Sequence, residues 1–427
     1  MTVEELAPLS ALFASYLETF SACFIRRPTF KHCHAYCFGL LGDLPRKSVE
    51  PIALASDIAV RTLQEFLRDH TWDHQRLRNM MQQRCASMHT PSPGHDFSRA
   101  SKRPMADKLG VVGIIDEKGH PKKGNKTPGV QRQYCGKLGK VENCIVTVHL
   151  AMAWQAFQTI LDSDLYLPES WANDRQRCRD ADIPEELAHL PKWKIAINQV
   201  KRALGNGIRF DWLTFDEGYG LVPEFLHSLD KLGQRYIGEV PSNFHVWARK
   251  PKYKSLRKEY SPSTVYNAAR WSDPFIYAQQ QTFVLKRKTL APVKWEIKAA
   301  RVYLVEGKNS HRRPTDRTYW LIHGWQPETD EHKYWISNAP PGSDVSLLLK
   351  VAFRRARIEH CFRIASQELG MSHFEGRSYT GLMRHLILCQ LVMLFAAEQT
   401  DRLRGEKSVH LDRTDCPCVE LHHSVLV

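Results

Sequence analysis

Apolar residues recur at helical spacing through residues 1–95. Between Asp43 and Met81, the positions Ala59, Leu63, Phe66 and Leu67 share one helical face. Pro51 suits a first helical turn, and Ser56-Asp57 suits a turn that caps the next helix. Arg61, Gln64 and Arg68 then share an outward face, a set suited to base or phosphate contacts in a helix-turn-helix. An ordinary helical hairpin fits the same pattern equally well. A stretch rich in Pro, Ser and Gly, His89–Pro104, predicts a linker.

Beyond that linker the period changes. "LGVVGIID" (Leu109–Asp116) is a continuous apolar run, which predicts a strand covered on both faces. "GVQRQYCGKLGKVENC" has strand-and-turn character, and "IVTVHLAMAW" predicts a further strand. A helix is expected over Pro184–Leu204. "DWLTFDEGYG" (Asp211–Gly220) again runs from apolar residues into Asp-Glu and glycine, followed by a helix ending at Gly233 and the strand "QRYIGEVP". Strands alternating with helices predict a layered α/β domain. From Asn243 to Pro341 the texture is alternating and basic, as in "FVLKRKTL", "VKWEIKAARVYLVE", "RTYWLIHGW" and "KYWISNAP", which predicts an antiparallel β insertion. Val345–Gly370 predicts one helix and Tyr379–Gly405 another, with Leu386–Ala397 buried and too short to cross a bilayer. The expected division is therefore 1–95 (helical, DNA-binding), 105–242 (core, first part), 243–341 (inserted β domain), 342–405 (core, helical part) and 406–427 (tail).

Charge narrows the partners. Lys and Arg number 60 against 46 Asp and Glu, a formal +14. That excess points to polyanions, nucleic acid first and an anionic membrane surface second. The opening residues carry acids rather than a basic leader, so no signal peptide is expected. Eleven cysteines without a disulfide-type spacing suit a reducing cytoplasm. "HCHAYC" (His32–Cys37) and "DCPCVELHH" (Asp415–His423) lack the paired arms of a zinc site and read as ordinary buried or tail residues.

The candidate chemistry lies in carboxylates. Asp116 and Asp216 each stand where an apolar run ends; if their strands are parallel neighbours, both side chains emerge at one sheet edge. Glu117 and Glu217 face the opposite way. Two carboxylates ~4 Å apart repel by roughly 4 kcal/mol at an effective dielectric near 20, a penalty that Mg²⁺ removes. A third carboxylate is expected from a helix, with Glu359 preferred over Glu375. On one continuous helix Arg355, Arg363 and Ser366 would lie within roughly 40° of Glu359. Lys118, Lys122, Lys123, Lys126 and Arg132 are expected to neutralise a nucleic-acid backbone, with a solvated charged loop as the alternative. Trp320, Trp325 and Trp335 suit either sheet core or stacking on an extruded base.

The blocks "IIDEKGHPKKGNKTPGVQRQYCGKLGKVENCIVTVHL", "WLTFDEGYG", "RYIGEVP", "YWISNAP" and "RIEHCFRIASQELGMSHFEGRS" resemble, in order, those of bacterial insertion-sequence transposases of the DDE, cut-and-paste type. The resemblance implies a ribonuclease-H-like fold with a β insertion, and a triad of Asp116, Asp216 and Glu359. It implies two Mg²⁺ ions, with Mn²⁺ as substitute. It also implies cleavage at terminal inverted repeats of double-stranded DNA, strand transfer to a target, and a homodimer on DNA, with no membrane partner. Around the glutamate such transposases carry a signature in which Arg355 and Glu359 match, while Ala352 and Ser366 replace Tyr and Lys. Those departures keep open an alternative, a domesticated DNA-binding protein without cleavage activity.

Overall fold

The computed structural model describes residues 8–89, 109–251, 261–285, 291–307 and 312–408. Apart from His89, the linker expected at His89–Pro104 falls outside them, as do most of the basic run after Trp247 and the Asp415–His423 cluster. In chain order the main elements begin with helices α1 (Leu9–Glu18), α2 (Arg27–Leu41), α3 (Val49–Ala55), α4 (Val60–Arg68) and α5 (His74–His89). Next are strands β1 (Val112–Pro121), β2 (Gln131–Cys135), β3 (Lys140–Trp154) and β4 (Phe157–Tyr166), then α6 (Lys192–Gly205), β5 (Trp212–Phe215), α7 (Pro223–Lys231) and β6 (Tyr236–Val240). The insertion carries β7 (His245–Trp247), β8 (Ser263–Thr264), β9 (Gln281–Leu285), β10 (Val293–Glu306), β11 (Arg313–Pro314), β12 (Tyr319–Gln326) and β13 (Glu331–Ser337). Helices α8 (Val345–Phe353), α9 (Ala356–Gln367) and α10 (Tyr379–Ser408) follow. The chain is thus mixed α/β, with mostly antiparallel strand pairing.

Two compact units divide it. The described parts of 1–101, 116–209 and 357–427 form the first, and those of 102–115 and 210–356 the second. In the second unit, β1 and β5 run parallel in the register Val112↔Trp212 to Ile115↔Phe215. β5 pairs in parallel with β6. The register is pinned at its entrance, where Val111 N–H donates to Asp211 Oδ2 (2.8 Å) and Asp211 N–H donates to Val111 O (2.8 Å). Two glycines permit this packing: a Cβ on Gly113 would strike Leu213 and Phe210, and one on Gly238 would strike the Phe215 ring. The sheet continues antiparallel through β13, β12 and β10, as the alternating insertion predicts. Its apolar face gathers Trp295, Trp335 and Phe353.

In the first unit, β3 pairs antiparallel with β2 and with β4. β4 is absent from the sequence expectation, because "FQTILDSDLY" carries Asp162 and Asp164 where apolar residues are normal. Both acids are held by charge. Arg202 donates to Asp162 Oδ2 through Nε (2.7 Å) and to Asp164 Oδ2 through Nη2 (2.5 Å). Arg78 stands 3.5 Å from Asp162 and 3.7 Å from Asp164.

Helix α10 is long and apolar enough to cross a membrane, but 83% of its apolar window is buried within the fold. It is longer than the expected buried segment because flanking polar residues also find partners. Arg384 donates to the carbonyls of Leu67 (3.0 Å) and Trp72 (3.0 Å) and so closes the C-terminal end of α4. Tyr36 Oη shares a hydrogen bond with His385 Nδ1 (2.9 Å).

Between α3 and α4, Asp57 takes a left-handed φ of 49° and makes the turn. It does not cap α4, whose N-cap is Ala59 without a side-chain bond. The nine described cysteines are buried and free, among them Cys33 and Cys37 of the His32–Cys37 cluster.

Candidate active site

Each expected site residue has a definite local setting. Asp216 immediately follows β5 and caps the short helix Glu217–Gly220, its Oδ1 accepting from Gly218 N–H (3.0 Å) and Tyr219 N–H (3.4 Å). Asp116 follows Ile115, the last β1 residue in register with β5. The apolar run does end there, but the strand does not: Asp116 lies mid-strand and β1 continues to Pro121. Backbone pairing with β3, in which Lys122 N–H donates to Asn143 O (2.8 Å), carries the strand on after apolar burial stops. Asp116 is 9% exposed, and its Oδ1 accepts from Glu117 N–H (2.7 Å). Glu117 points elsewhere and pairs with Lys192 (2.5 Å).

Glu359 is exposed in the first turn of α9. The single helix expected over Val345–Gly370 is broken at Arg354-Arg355, which form a turn. Arg355 therefore does not share the helix of Glu359, and only Arg363 and Ser366 keep the helical register. Arg363 is exposed and bonds His360 Nδ1 (2.9 Å). Ser366 is buried, with Ser372 Oγ donating to its hydroxyl (3.4 Å). Ala352 is buried near the end of α8. The two positions that depart from the transposase signature are thus core positions here. Glu375 pairs with Arg46.

The lysines separate into two groups. Lys123, Lys126 and Arg132 are exposed. Lys118 instead turns inward, donating to Phe362 O (2.8 Å) with its ammonium over the Phe362 ring. Lys122 donates to Phe374 O (2.5 Å) and Ser372 O (3.3 Å). Burial pushes both amines down to about 8, with the positive charge of Lys137 also lowering Lys118. The unfolded chain holds these protons to about 10.4. Between those values the unfolded state binds more protons, so the contribution of Lys122 to stability rises with pH. Urea titrations from pH 8 to 10 are expected to show the wild type gaining stability relative to Lys122→Met. A constant difference across that range would refute the inward placement.

On α4, Arg61, Gln64 and Arg68 are exposed opposite buried Leu63, Phe66 and Leu67, as the periodicity predicts. Arg61 bonds Glu65 (2.7 Å) and Arg68 bonds Asp69 (2.8 Å). Trp335 is core. The indole N–H of Trp320 donates to Pro340 O (2.9 Å), and that of Trp325 to Asp330 Oδ1 (3.0 Å). Among the described residues no group of three or more His, Cys, Asp or Glu side chains is arranged to hold a metal ion.

The sequence pattern of the DDE superfamily endonucleases matches residues 19–301, and the chain belongs to that family. The matched stretch includes Asp116 and Asp216 and ends before Glu359. The chain is also 29% identical over 219 residues to a protein of Microchaete diplosiphon named "Probable transposase for insertion sequence element IS701". That alignment covers 51% of this chain and 50% of the relative, so the chain matches about half the length of that protein. The expected likeness to insertion-sequence transposases is borne out.

Proposed function

We propose that the chain is a DNA transposase that binds terminal inverted repeats and performs metal-dependent strand cleavage and strand transfer. One observation carries the reading. In a DDE endonuclease family member, two parallel strands stay in register up to Ile115↔Phe215, and the next residue on each is an aspartate. The reading takes these two aspartates, each the residue after that paired stretch, as ligands of one ion site.

The donor set suits a hard divalent cation: it consists of carboxylates whose orientation is held by backbone N–H groups. Asp116, Asp216 and Glu359 would hold Mg²⁺, or Mn²⁺ in its place. Bound ions would supply activation of the attacking water or 3′-hydroxyl and charge neutralisation at the leaving oxygen. The protein's own part is orientation. Gly218 and Tyr219 N–H groups hold Asp216, and the β1 backbone holds Asp116. Exposed Lys123, Lys126, Arg132 and Arg363 would lie along DNA phosphates, joined by Arg355, with Arg61, Gln64 and Arg68 at the transposon end.

The parallel β1–β5–β6 strands support a ribonuclease-H-like core over 105–242 and 342–405, and the antiparallel strands of 243–341 support an inserted domain. Residues 1–95 would bind the transposon ends, and a homodimer would hold two of them.

The test is incubation of the protein with a duplex carrying the element's inverted repeat and Mg²⁺. Nicks leaving 3′-hydroxyls, followed by joined products, are expected. Tight binding without nicking would establish the domesticated DNA-binding alternative.

A further inference from the structure

The strand face that carries Asp116 also carries Lys118 and His120, because side chains two apart on a strand point the same way, and Lys122 directly follows the strand. All three reach α9 or the loop after it. Lys118 Nζ donates to Phe362 O (2.8 Å). His120 Nδ1 shares a bond with Ser372 Oγ (3.0 Å). Lys122 Nζ donates to Phe374 O (2.5 Å) and Ser372 O (3.3 Å). A fourth grip comes from the N-terminal helices. Lys47, 7% exposed, donates to Leu40 O (2.7 Å) at the end of α2 and to Glu368 O at the end of α9.

We propose that Lys118, Lys122 and Lys47 are positioning residues that clasp α9 to β1 and thereby set Glu359 relative to Asp116. This rests on the functional reading above, which makes those two carboxylates ligands of one ion site. The geometry favours a clasp over phosphate contact. The ammonium groups of Lys118 and Lys122 are spent on carbonyls of the same unit. Cations toward the C-terminal half of a helix also suit its dipole. The Lys118 grip is the nearest to the carboxylates: Phe362 is three residues beyond Glu359, roughly 4.5 Å along a helix, and Lys118 two beyond Asp116, roughly 6.6 Å along a strand. Sliding α9 by one turn would break every grip together. Lys47 gives the N-terminal helices a direct hold on the same helix.

Mn²⁺ titration of the DNA-free protein, followed by the paramagnetic signal of the free ion, tests this beside salt-dependent DNA binding. Lys118→Met is expected to fold with wild-type circular dichroism and to keep its DNA affinity and salt slope, while losing roughly 10–100-fold in Mn²⁺ affinity, the usual effect of removing a support of a metal ligand. Lys118→Arg, which still donates to the carbonyl, is expected to recover most of that loss. Lys47→Met carries the same expectation, and decides the matter if the Lys118 variant does not fold. A salt slope reduced by about 0.9, the value of one phosphate contact, with unchanged Mn²⁺ affinity would overturn the clasp. Asp116→Asn separates the two ideas. If it leaves Mn²⁺ binding unchanged, the functional reading itself fails; if it removes binding while Lys118→Met and Lys47→Met do not, only the clasp fails.

Discussion

Asp116→Asn is expected to abolish strand cleavage while DNA binding stays at wild-type strength or tightens slightly. The amide keeps the shape of the side chain and an oxygen able to accept from Glu117 N–H. It removes the negative charge that a divalent ion needs. Losing several kcal/mol of transition-state stabilisation corresponds to roughly 10³-fold or more in rate, at about 1.4 kcal/mol per tenfold. Binding escapes that loss because a carboxylate beside DNA repels phosphate, so neutralising it costs the complex nothing. Asp216→Asn is expected to behave in the same way. Gel shifts and a nicking assay on one preparation supply both readings. Nicking at the wild-type rate by either variant would remove that aspartate from the chemistry.

Arg202→Met is expected to cost about 3–5 kcal/mol of folding stability, the range for breaking a buried ion pair from one side. Asp162 is fully buried, and burial together with the charge of Asp164 pushes its carboxyl up, while Arg202 and Arg78 hold it down. Without Arg202, the two acids keep the charge of Arg78, at 3.5 and 3.7 Å, and the neutral amides of Gln82 on Asp162 (3.2 Å) and Gln199 on Asp164 (3.1 Å). Urea unfolding is expected to show a lower midpoint with an unchanged slope. The pH dependence has a definite sign. In the variant the native carboxyl pKa rises further above the unfolded value of about 3.9, so the folded state takes up a proton that the unfolded state does not. Lowering the pH through that range therefore narrows the deficit against wild type. A loss below about 1 kcal/mol would mean the pair contributes little beyond what Arg78 supplies.

The same cluster shows why β4 could not be read from the sequence. A strand with two aspartates at inward positions looks like a loop until Arg78 and Arg202, distant in the chain, arrive to neutralise them. Polar groups deeper in the first unit follow the same logic. His120, Thr147, His149, Ser163 and Gln390 form a buried chain of hydrogen bonds of 2.5–2.8 Å, and none is interpretable without its neighbours.

The break between α8 and α9 has a related cause. No Gly or Pro marks Arg354-Arg355, and the apolar spacing runs through them. Phe353 is drawn into the aromatic core with Trp295 and Trp335 of the second unit, whereas Phe362 packs its ring against His149 in the first. One helix serving two cores gives way to two helices.

Local periodicity was enough for the parts that bury a single face or two apolar faces: the apolar runs that end at Asp116 and Asp216, the outward set Arg61, Gln64 and Arg68, and the alternating strands of the insertion. These depend only on the repeat of each element and on water's rejection of apolar surface, which act residue by residue. The inward turn of Lys118 and Lys122, the hold of Lys47 on α9 and the charged seam under β4 were decided by tertiary structure. A lysine's stem suits solvent and interior equally, and the carbonyls that claim its ammonium lie hundreds of residues away.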